Sequence, residues 1–529
     1  LFRGLSQCHP HVQACPPNND CQIENQYTQN GLDYKRRSGI APPLADLALM
    51  SEIHIEEISF VEPHVLFAAF ADEPFALLLD SATAGPKNDS EVHGRWSFIA
   101  LDPFETFIVT DRTATNPFDQ LKLKLQSMAL PPLQGDAPPF TGGAAGYFSY
   151  DLAHYLENLP PSGKPFAIDD QQSPDMALGF YDTIAAFDMK TQRAFIVSNG
   201  LPETTSHMRS ARVGARSDQL RKRFNQAKPS LTHAVETQAI QANMPRNEYE
   251  ASVGRIISYI HAGDIFQANF TQRFEARLDA SDTPYGLYLR LRDVSPAPFS
   301  SFFNFGEGSL VSSSPERFLF NKNGEVETKP IKGTRPRGKT KADDHRLATE
   351  LLASEKDRAE NVMIVDLLRN DLSRTCADHS VIVEKLCALE SFANVHHLVS
   401  TVRGRLREGM THVDLLVNAF PGGSITGAPK LRAMEIIAEL EPTTRGPYCG
   451  AIGYLGFDGT MDTSIAIRTM IVKNGKVTFQ AGGGITAESV PAAEYEESMA
   501  KAHGMAQAMG GDLSVTTNNR LVPLDEAGV

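Results

Sequence analysis

The sequence predicts an α+β fold, in which strands and helices are mixed without a regular strand–helix–strand order. Short apolar runs bounded by turn residues fill the stretch from Ile53 to Asn199 and are typical of strands. Helical periodicity begins near Asn247 and recurs towards the C-terminus, with further strand-like runs between the helices. Because these helices do not alternate steadily with strands, a doubly wound parallel sheet is disfavoured.

Close backbone packing is predicted before the aromatic run Tyr147–Tyr150. Gly142, Gly143 and Gly146 lie there, and glycines in a strand pattern indicate a β-bulge or a close approach of two backbones. The polar segment Leu201–Met244 is expected to be a connector that contains a helix. Strands are predicted at Pro74–Ser81 (PFALLLDS), Arg95–Pro103 (RWSFIALDP), Gln192–Asn199, Ser464–Val472 and Val477–Ala481.

The first helix of the second half is predicted to begin near Asn247. Asn247 is a favourable N-cap, and Glu250 three residues later matches a capping box. Gly263 is expected to end this helix. Three more helices are predicted, over about His345–Leu368, from Pro429 to Leu440 and from Pro491 to near Gly510.

Composition excludes several classes of protein. The net charge of −14 disfavours a nucleic-acid partner or an anionic membrane surface. No run of about 18 apolar residues is present, so no membrane span is predicted. Without a signal segment, the expected location is the cytoplasm. Six cysteines are too few for a disulfide framework at this length, and Cys376, Cys387 and Cys449 are expected to be buried thiols.

Two pairs of carboxylates have the spacing of neighbours on a helix face. Asp357 and Glu360 are three residues apart, and so are Glu494 and Glu497. If the two helices face each other, these oxygens could hold one hard dication. Alternatively, the acids after Pro491 are there because the first turns of a helix favour negative charge.

Two glycine-rich segments are candidate anion sites. Pro421–Lys430 (PGGSITGAPK) leads into a helix with Pro429 near its first position, but it lacks the ending of a P-loop. Ala481–Thr486 (AGGGIT) follows a strand, and its backbone amides could bind a carboxylate. The alternative for both segments is a tight turn.

Arg468 is predicted to lie in an alternating strand, on the same face as Ser464 and Ala466. Small neighbours would leave room beside the guanidinium for a planar carboxylate in bidentate pairing. The alternative is a structural ion pair.

A lysine and a glutamate are candidate catalytic groups. Lys332 lies in KPIKGTRPRG with Lys329, Arg335 and Arg337 nearby in sequence. If these cations are also close in space, they would lower the pKa of Lys332 and free its amine as a nucleophile. Glu316, in SSSPERF, would be a general acid if burial keeps it protonated near neutral pH. The alternative is that both are surface charges.

Taken together and in order, these motifs resemble the chorismate-binding enzyme family. The family includes the first components of anthranilate synthase and aminodeoxychorismate synthase, and isochorismate and salicylate synthases. The resemblance covers about Asn247 to Met509, and PFALLLDS, RWSFIALDP and GGAAGYFSYD resemble the glutamine-amidotransferase-coupled members. The motifs are SPERF, PIKGTRPRG, AENVMIVDLLRND, HHLVS, PGGSITGAPK, RGPYCGAIGY, DTSIAIRTM, AGGGIT and EYEE.

The resemblance implies a fold and a division of the chain. The fold would have two orthogonally packed antiparallel sheets flanked by helices, with the active site in a cleft. Residues 50–235 would form the N-terminal region and residues 236–515 the chorismate-binding catalytic region. Residues 516–529 would be a tail. Residues 1–49 lack periodicity and precede the resemblance, so they are expected to be a disordered leader or an artefact of the choice of start site.

The resemblance also implies roles for individual residues. Glu360 and Glu497 would bind Mg2+, supported by Glu494 and Asp357, and the ion would hold the ring carboxylate of chorismate. Glu316 would protonate the departing hydroxyl group, and Lys332 would be the nucleophile. Ser81, in LLLDS, would belong to a tryptophan pocket. The implied substrate-binding residues are Thr328, His397, Ser424, Tyr448, Arg468, Gly482 and Gly484.

Two positions distinguish the branches of the family. Hydrating and isomerising members carry lysine where this chain has Gln267, and anthranilate synthases carry alanine where it has Lys332. The expected reaction therefore converts chorismate and ammonia to 4-amino-4-deoxychorismate, towards 4-aminobenzoate and folate. The ammonia would come from a separate glutaminase subunit. The alternatives are an anthranilate synthase component I and a non-catalytic regulatory subunit that binds chorismate or tryptophan.

Overall fold

The computed structural model describes residues 53–83, 94–110, 115–133, 135–160, 167–230, 239–392, 395–511 and 513. The predictions for residues 1–49 and 516–529 lie outside these residues. Within them, two antiparallel sheets combine with helices, which confirms the predicted α+β class. No helix of the described residues is long and apolar enough to span a membrane.

Most strands pair through short hairpins, and every pairing between named strands is antiparallel. In chain order the strands are β1 (His54–Ile58), β2 (Leu77–Asp80), β3 (Trp96–Ala100), β4 (Glu105–Val109), β5 (Gly143–Phe148), β6 (Met176–Tyr181), β7 (Thr183–Asp188), β8 (Arg193–Ser198), β9 (Gln241–Ala242), β10 (Gln267–Arg277), β11 (Phe299–Asn304), β12 (Ser309–Ser314), β13 (Arg317–Lys322), β14 (Glu325–Thr328), β15 (Ile331–Pro336), β16 (Ile382–Ser391), β17 (Val395–Arg405), β18 (Gly427–Ala428), β19 (Ala451–Gly456), β20 (Met461–Ile465), β21 (Thr469–Lys473) and β22 (Lys476–Ile485).

Most helices pack on the outer faces of the sheets. They are α1 (Pro63–Phe67), α2 (Pro117–Ser127), α3 (Ser206–Gln226), α4 (Arg246–Ala262), α5 (Pro284–Val294), α6 (Lys341–Ala353), α7 (Glu355–Ser373), α8 (His412–Ala419), α9 (Lys430–Leu440) and α10 (Pro491–Ala508), with 3₁₀ turns at Tyr150–Tyr155 and Gly423–Ile425.

The two sheets draw on both halves of the chain. The larger sheet has the order β1-β8-β7-β3-β2-β11-β12-β21-β22-β10-β18, with β9 beside β10. The smaller sheet has the order β15-β17-β14-β13-β20-β19-β5-β6-β4, with β16 beside β17. Strands from residues 50–235 and from residues 236–515 therefore lie in each sheet.

Alternation along the strands builds a core on each side of the larger sheet. Leu77 and Phe303 face a central aromatic core between the two sheets. Their neighbours Leu78 and Phe302 face the opposite side and pack against α1, α5 and α10. The outer face of the smaller sheet packs against α2, α7, α8 and α9. Apolar residues at alternate positions thus fill two different cores.

Several local predictions are confirmed. A side chain at Gly143 or Gly146 would collide with the carbonyl oxygen of the neighbouring strand, which is the predicted close approach of two backbones. A helix, α3, lies in the connector. Gly263 ends α4 with a positive φ of 85°. The thiols predicted to be buried, Cys376, Cys387 and Cys449, are buried.

Two helix predictions are wrong in detail. The residue before α4 is Pro245, with no side-chain capping bond, so Asn247 lies inside the helix. The single helix predicted over His345–Leu368 is two helices, α6 and α7, separated at Ser354. Ser354 has an extended ψ of 107°, and its side chain accepts a hydrogen bond from the Asp357 amide, which starts α7 afresh.

The single strand predicted over Ser464–Val472 is also wrong. The chain leaves the smaller sheet after β20 and enters the larger sheet at β21. Arg468 lies between the two strands with a positive φ of 52°. Alternation cannot be extended through such a residue, because the strand direction changes there.

Candidate active site

A cavity of about 610 Å³ lies where β15, β17 and β22 meet α7 and α10. This volume is typical of a site for a small organic molecule. The predicted residues that line it are Glu316, Lys332, Glu360, His397, Ser424, Tyr448, Arg468, Gly482, Gly484 and Glu497, together with Asp357.

Three other predicted residues do not line this cavity. Thr328 is buried on β14 opposite Val402, whose side chain belongs to the outer core of the smaller sheet. Glu494 is buried beside the cavity, and its carboxylate accepts a hydrogen bond from Ser489 at 2.6 Å. Ser81 borders a different cavity.

Two carboxylates enter the cavity from separate helices. Glu360 follows the Ser354 cap by less than two turns of α7, and Glu497 lies in the second turn of α10 after Pro491. Burial raises the pKa of Glu360, and the nearby charge of Lys332 lowers it in part. In proteins, Mg2+ is usually bound by one or two carboxylates, with waters and substrate oxygens as the other ligands. Glu360 and Glu497 fit that donor set.

The supporting carboxylates are already engaged. Asp357 accepts a hydrogen bond from Arg335 at 3.2 Å. Glu494 lies 3.7 Å from the Lys356 amine. Among the residues that the structure describes, no group of three or more His, Cys, Asp or Glu side chains is arranged to hold a metal ion. The protein would therefore supply few of the ligands of a bound ion.

Lys332 lies in the cavity on β15. Burial is the largest cause that lowers the pKa of Lys332, and the Lys501 ammonium lowers it further. The Glu360 carboxylate raises the pKa in part. No described carboxylate lies within ion-pair distance of the Lys332 amine. A buried amine with a lowered pKa and no fixed partner is suited to act as a nucleophile.

The predicted causes of this shift are wrong. Arg335 pairs with Glu350 and Asp357, both at 3.2 Å. Arg337 pairs with Asp344 at 2.7 Å. Burial and Lys501, rather than these two arginines, lower the pKa of Lys332.

Glu316 faces Lys332 from the end of β12. Burial raises the pKa of Glu316 to about 7, although a hydrogen bond with Ser424 and the nearby Lys332 lower it. Its side chain therefore carries a proton in a large fraction of molecules at neutral pH. That is the condition predicted for a general acid.

Arg468 is held at the crossover between the two sheets. Burial lowers its pKa, and the nearby Tyr448 opposes this effect. No described carboxylate forms an ion pair with Arg468, so the structural ion pair considered as an alternative is not found. A buried guanidinium that faces a cavity without a partner is a binding group for a carboxylate.

The AGGGIT segment is strand rather than turn. It continues β22, which pairs with β10 as far as Ile485. Lys501 donates to the Gly482 carbonyl at 3.0 Å, so that carbonyl points towards α10 and the cavity. Because the amide and carbonyl of a strand residue point the same way, the Gly482 amide also faces the cavity. A side chain at Gly484 would collide with the Gln267 amide.

The PGGSITGAPK segment contributes through its 3₁₀ turn. Ser424 and Ile425 line the cavity, whereas Pro429 and Lys430 at the start of α9 do not. Lys430 instead pairs with Asp371 at 2.7 Å. The predicted anion site at the helix N-terminus is therefore not part of this cavity.

His397 lines the cavity with an uncharged imidazole ring. Burial and the nearby Arg468 lower its pKa to about 3. Its Nδ1 atom lies 2.8 Å from the Thr334 hydroxyl, which fixes the ring orientation. A neutral imidazole here can hydrogen-bond a substrate without adding charge.

Sequence patterns missed several residues of the cavity. Lys501 pairs with Glu497 at 2.7 Å and lies four residues after it on α10, so helical spacing could have revealed it. Thr334 and Lys356 are also missed, although they lie two residues after Lys332 and directly before Asp357. No comparable signal marked Asn269 and Gln480, which lie on β10 and β22.

Ser81 borders a separate cavity of about 260 Å³. The Ser81 hydroxyl donates to the Trp96 carbonyl at 2.8 Å, and its amide donates to the Ser97 hydroxyl at 3.0 Å. The aromatic rings of Trp96, Phe98 and Tyr454 contribute to the lining. This environment suits a flat apolar ligand.

Comparison with known proteins identifies relatives of the chain. The sequence model of the family described as chorismate binding enzyme matches residues 77–507. The aminodeoxychorismate synthase component 1 of Salmonella typhimurium is 41% identical over 447 residues, which cover 82% of this chain and 93% of that protein. The anthranilate synthase component 1 of Thermus thermophilus is 40% identical over 446 residues, covering 82% and 92%.

Solved structures show the same fold. Anthranilate synthase component I from Streptococcus pneumoniae has a TM-score of 0.70 and 32% identity, covering 78% of this chain and 92% of that chain. The menaquinone-specific isochorismate synthase of Escherichia coli has a TM-score of 0.65 at 16% identity, covering 88% and 97%. At that identity the second likeness concerns the fold alone.

Proposed function

The chain belongs to the chorismate-binding enzyme family, and from that premise we propose that it converts chorismate and ammonia to 4-amino-4-deoxychorismate. The observation that supports this reaction is the partly buried Lys332 amine, which lies in the catalytic cavity with Glu316 and has a lowered pKa. By the family resemblance, anthranilate synthases generally carry alanine where this chain has Lys332.

The proposed first step joins Lys332 to the substrate. The neutral amine attacks C2 of the chorismate ring, the ring double bonds shift, and the bond between C4 and the hydroxyl oxygen breaks. Glu316 gives its proton to the departing hydroxyl, which leaves as water, and the new ammonium group on C2 loses a proton. Burial supports both roles, since it raises the pKa of the Glu316 carboxyl group and lowers the pKa of the Lys332 amine.

In the second step ammonia displaces the lysine. The ammonia nitrogen bonds to C4, the double bonds shift back, and the bond between C2 and Lys332 breaks. The amine is regenerated after a proton leaves the new C4 nitrogen and one is taken up by Lys332. The enolpyruvyl side chain stays on the ring, so the product is not aromatic.

The carboxylates of chorismate would be held by two sets of groups. Arg468, the Gly482 amide and Tyr448 offer hydrogen-bond donors to one carboxylate. Glu360 and Glu497 would hold Mg2+, and the ion would neutralise the ring carboxylate. His397 and Ser424 would line the ring.

Formation of anthranilate is the second candidate, because relatives with that name are equally similar. In that reaction the ring becomes aromatic and pyruvate leaves. Product identity therefore separates the two candidates more directly than any rate.

The test is to incubate the purified chain with chorismate, Mg2+ and ammonium, and to identify the products by chromatography and mass spectrometry. We expect a non-aromatic amino compound that retains the enolpyruvyl group. Anthranilate with pyruvate would assign the second candidate, and no conversion of chorismate would favour a regulatory subunit.

The proposed ammonia source is a separate glutaminase chain, with the product directed towards 4-aminobenzoate and folate. With glutamine in place of ammonium, the purified chain alone should form no product. Adding a glutaminase chain should restore turnover. Glutamine-dependent turnover by the purified chain alone would contradict this assignment.

A further inference from the structure

A buried ion pair, Glu441 with Arg445, lies behind the wall of the catalytic cavity. Glu441 is 4% exposed and Arg445 is 1% exposed, and neither lines the cavity. Arg445 donates to both oxygens of the Glu441 carboxylate, from Nε at 3.0 Å and from Nη2 at 2.8 Å. A buried ion pair is by itself weak evidence for stability, because desolvation of the two charges opposes their attraction. The other contacts of this pair are therefore more informative.

Arg445 also holds two backbone carbonyls of the cavity wall. Its Nη1 atom donates to the Ile425 carbonyl at 2.8 Å, and its Nη2 atom donates to the Asn269 carbonyl at 2.6 Å. Ile425 and Asn269 both line the catalytic cavity. One planar guanidinium group therefore fixes the 3₁₀ turn Gly423–Ile425 to strand β10.

Glu441 and the Arg445 backbone hold two further places in the same wall. The Glu441 carboxylate accepts hydrogen bonds from the Thr271 amide at 2.9 Å and from the Thr271 hydroxyl at 2.8 Å. Thr271 lies opposite Gly482 in the pairing of β10 with β22. The Arg445 carbonyl accepts a hydrogen bond at 3.1 Å from the side chain of Gln480, which lines the cavity. The pair thus joins the turn, β10 and β22 where they form the cavity wall.

The turn that Arg445 holds carries Ser424. Ser424 lines the cavity and forms a hydrogen bond with Glu316, the proposed acid. The carbonyl that Arg445 fixes belongs to Ile425, the residue directly after Ser424. A displacement of this carbonyl would therefore move the Ser424 hydroxyl relative to Glu316.

We propose that the Glu441–Arg445 pair positions the Gly423–Ile425 turn and, through Ser424, holds Glu316 in place for proton transfer. This inference rests on the proposed function, in which Glu316 protonates the departing hydroxyl group. The pair lies behind the cavity wall and acts on the reaction only through Ser424.

A second buried pair provides a matched control. Arg290 on α5 forms a bidentate pair with Asp282 and donates to the Ala508 carbonyl at 2.7 Å. The two side chains are 12% and 5% exposed, and neither lines the catalytic cavity. Arg290→Lys therefore disturbs the same kinds of contact as Arg445→Lys, but away from the Ser424 turn.

The first test is Arg445→Lys. Lysine keeps a positive charge beside Glu441, but a single ammonium group cannot reproduce the planar fork that also holds Ile425 and Asn269. With chorismate, Mg2+ and ammonium, we expect kcat for chorismate consumption to fall about tenfold or more and KM to change by less than about twofold, because a misplaced acid impairs the chemical step. Arg290→Lys should keep the wild-type kcat. Equal kcat in the two lysine variants would overturn the inference.

A double-mutant cycle tests whether Arg445 acts through Ser424. Ser424→Ala already removes the hydrogen bond to Glu316. In that background Arg445→Lys should therefore lower kcat by less than about twofold, compared with about tenfold in the wild-type background. The same tenfold loss in both backgrounds would show that Arg445 does not act through Ser424.

The pH profile gives a readout that a loss of stability alone would not move. Burial raises the pKa of Glu316 to about 7, and the Ser424 hydrogen bond lowers it in part. Arg445→Lys should weaken this hydrogen bond and raise the pKa, so the decline of kcat/KM should move to higher pH, as in Ser424→Ala. The other ionisable groups near Glu316, Lys332 and Cys449, are unchanged in these variants. A decline that moves in Ser424→Ala but not in Arg445→Lys would overturn the inference.

The double variant Glu441→Leu with Arg445→Met covers the case in which Arg445→Lys does not fold. Replacing a buried ion pair by apolar side chains often preserves stability, but these side chains offer no donor to the Ile425 carbonyl. We expect this variant to unfold cooperatively on heating and to show the same loss of kcat, whereas a wild-type kcat would overturn the inference. Failure of the wild-type chain to consume chorismate would contradict the proposed function and the inference with it. An active wild type with an unimpaired Arg445 variant would contradict the inference alone.

Discussion

The catalytic cavity and the cavity beside Ser81 differ in how their charged side chains are satisfied. Beside Ser81, Asp80 accepts hydrogen bonds from Tyr288 at 2.8 Å and from Arg292 at 2.7 Å. In the catalytic cavity, Lys332 and Arg468 have no ion-pair partner among the described residues. Asp80 is satisfied within the protein, whereas two cations of the catalytic cavity, Lys332 and Arg468, are left for a ligand even though Glu497 pairs with Lys501 there.

The pKa shifts of two buried arginines show the same difference. Burial alone would lower the pKa of Arg317 beside the Ser81 cavity, but Asp462 and Glu327 raise it. Burial lowers the pKa of Arg468, and no carboxylate reverses the effect. An uncompensated charge that is partly withdrawn from solvent is costly, which supports the proposal that a substrate carboxylate pairs with Arg468.

The largest expected effect follows from removing a metal-binding carboxylate. Glu360→Gln or Glu497→Gln should lower kcat/KM by about 10²–10³-fold, since a bound metal ion contributes several kcal/mol of charge stabilisation. Both variants should also require more Mg2+ for half-maximal activity. Steady-state rates over a series of Mg2+ concentrations measure both effects.

The matched control is Glu496→Gln on the same helix. Glu496 is exposed and pairs with Arg246 at 2.7 Å, outside the cavity. Its replacement should leave the Mg2+ dependence unchanged. Full activity of Glu360→Gln and Glu497→Gln at low Mg2+ would show that the catalytic cavity does not use these carboxylates for metal.

A somewhat smaller effect is expected at Lys332. Lys332→Ala should abolish any covalent adduct with chorismate and slow formation of aminodeoxychorismate by about 100-fold or more, as is typical when a nucleophile is lost. Intact-protein mass spectrometry with chorismate and Mg2+, but without ammonia, should detect the adduct only in wild type.

Lys329 provides the comparison for that variant. It lies three residues earlier and pairs with Glu390, so Lys329→Ala should preserve the adduct. Formation of aminodeoxychorismate by Lys332→Ala at the wild-type rate would exclude Lys332 as the nucleophile.

The sequence predicts the residues of the site that lie in local motifs better than it predicts contacts between residues far apart in the chain. Lys332, Glu316 and Glu497 could be located because each lies in a short motif that also folds locally. The pKa of Lys332 could not be explained from its neighbours in sequence. Arg335 and Arg337 form ion pairs with Asp357 and Asp344, while Lys501 approaches Lys332 from a helix far along the chain.

The fold shows the same limit. Apolar periodicity correctly predicted the α+β class and four of the five strands that it located, β2, β3, β8 and β22, because alternation is a local property. It missed the break at Ser354, where a side-chain cap starts a new helix, and the change of sheet at Arg468. Both exceptions lie close to candidate site residues, Glu360 and Arg468, which line the catalytic cavity.

A moderate effect is expected from raising the pH, because this removes the proton that Glu316 would donate. Burial raises the pKa of Glu316 to about 7, and the protonated form is the proton donor. The value of kcat/KM should therefore fall as pH rises through this pKa, by about tenfold per pH unit. Glu316→Gln should be slow and should lose this limb; a wild-type profile with no decline above neutral pH would argue against Glu316 as the acid.

The smallest expected effect on rate is at the Ser81 cavity, whose charges already have partners. Ser81→Ala removes the buried hydrogen bond to the Trp96 carbonyl and should lower the free energy of unfolding by about 1 kcal/mol. It should leave kcat/KM for chorismate unchanged, because Ser81 lies outside the catalytic cavity. Chemical denaturation and steady-state kinetics on the same preparation separate the two quantities.

If the resemblance to a tryptophan pocket holds, tryptophan should bind wild type and Ser81→Ala with different affinities in calorimetry. A large loss of rate in Ser81→Ala without tryptophan would show that the two cavities are coupled.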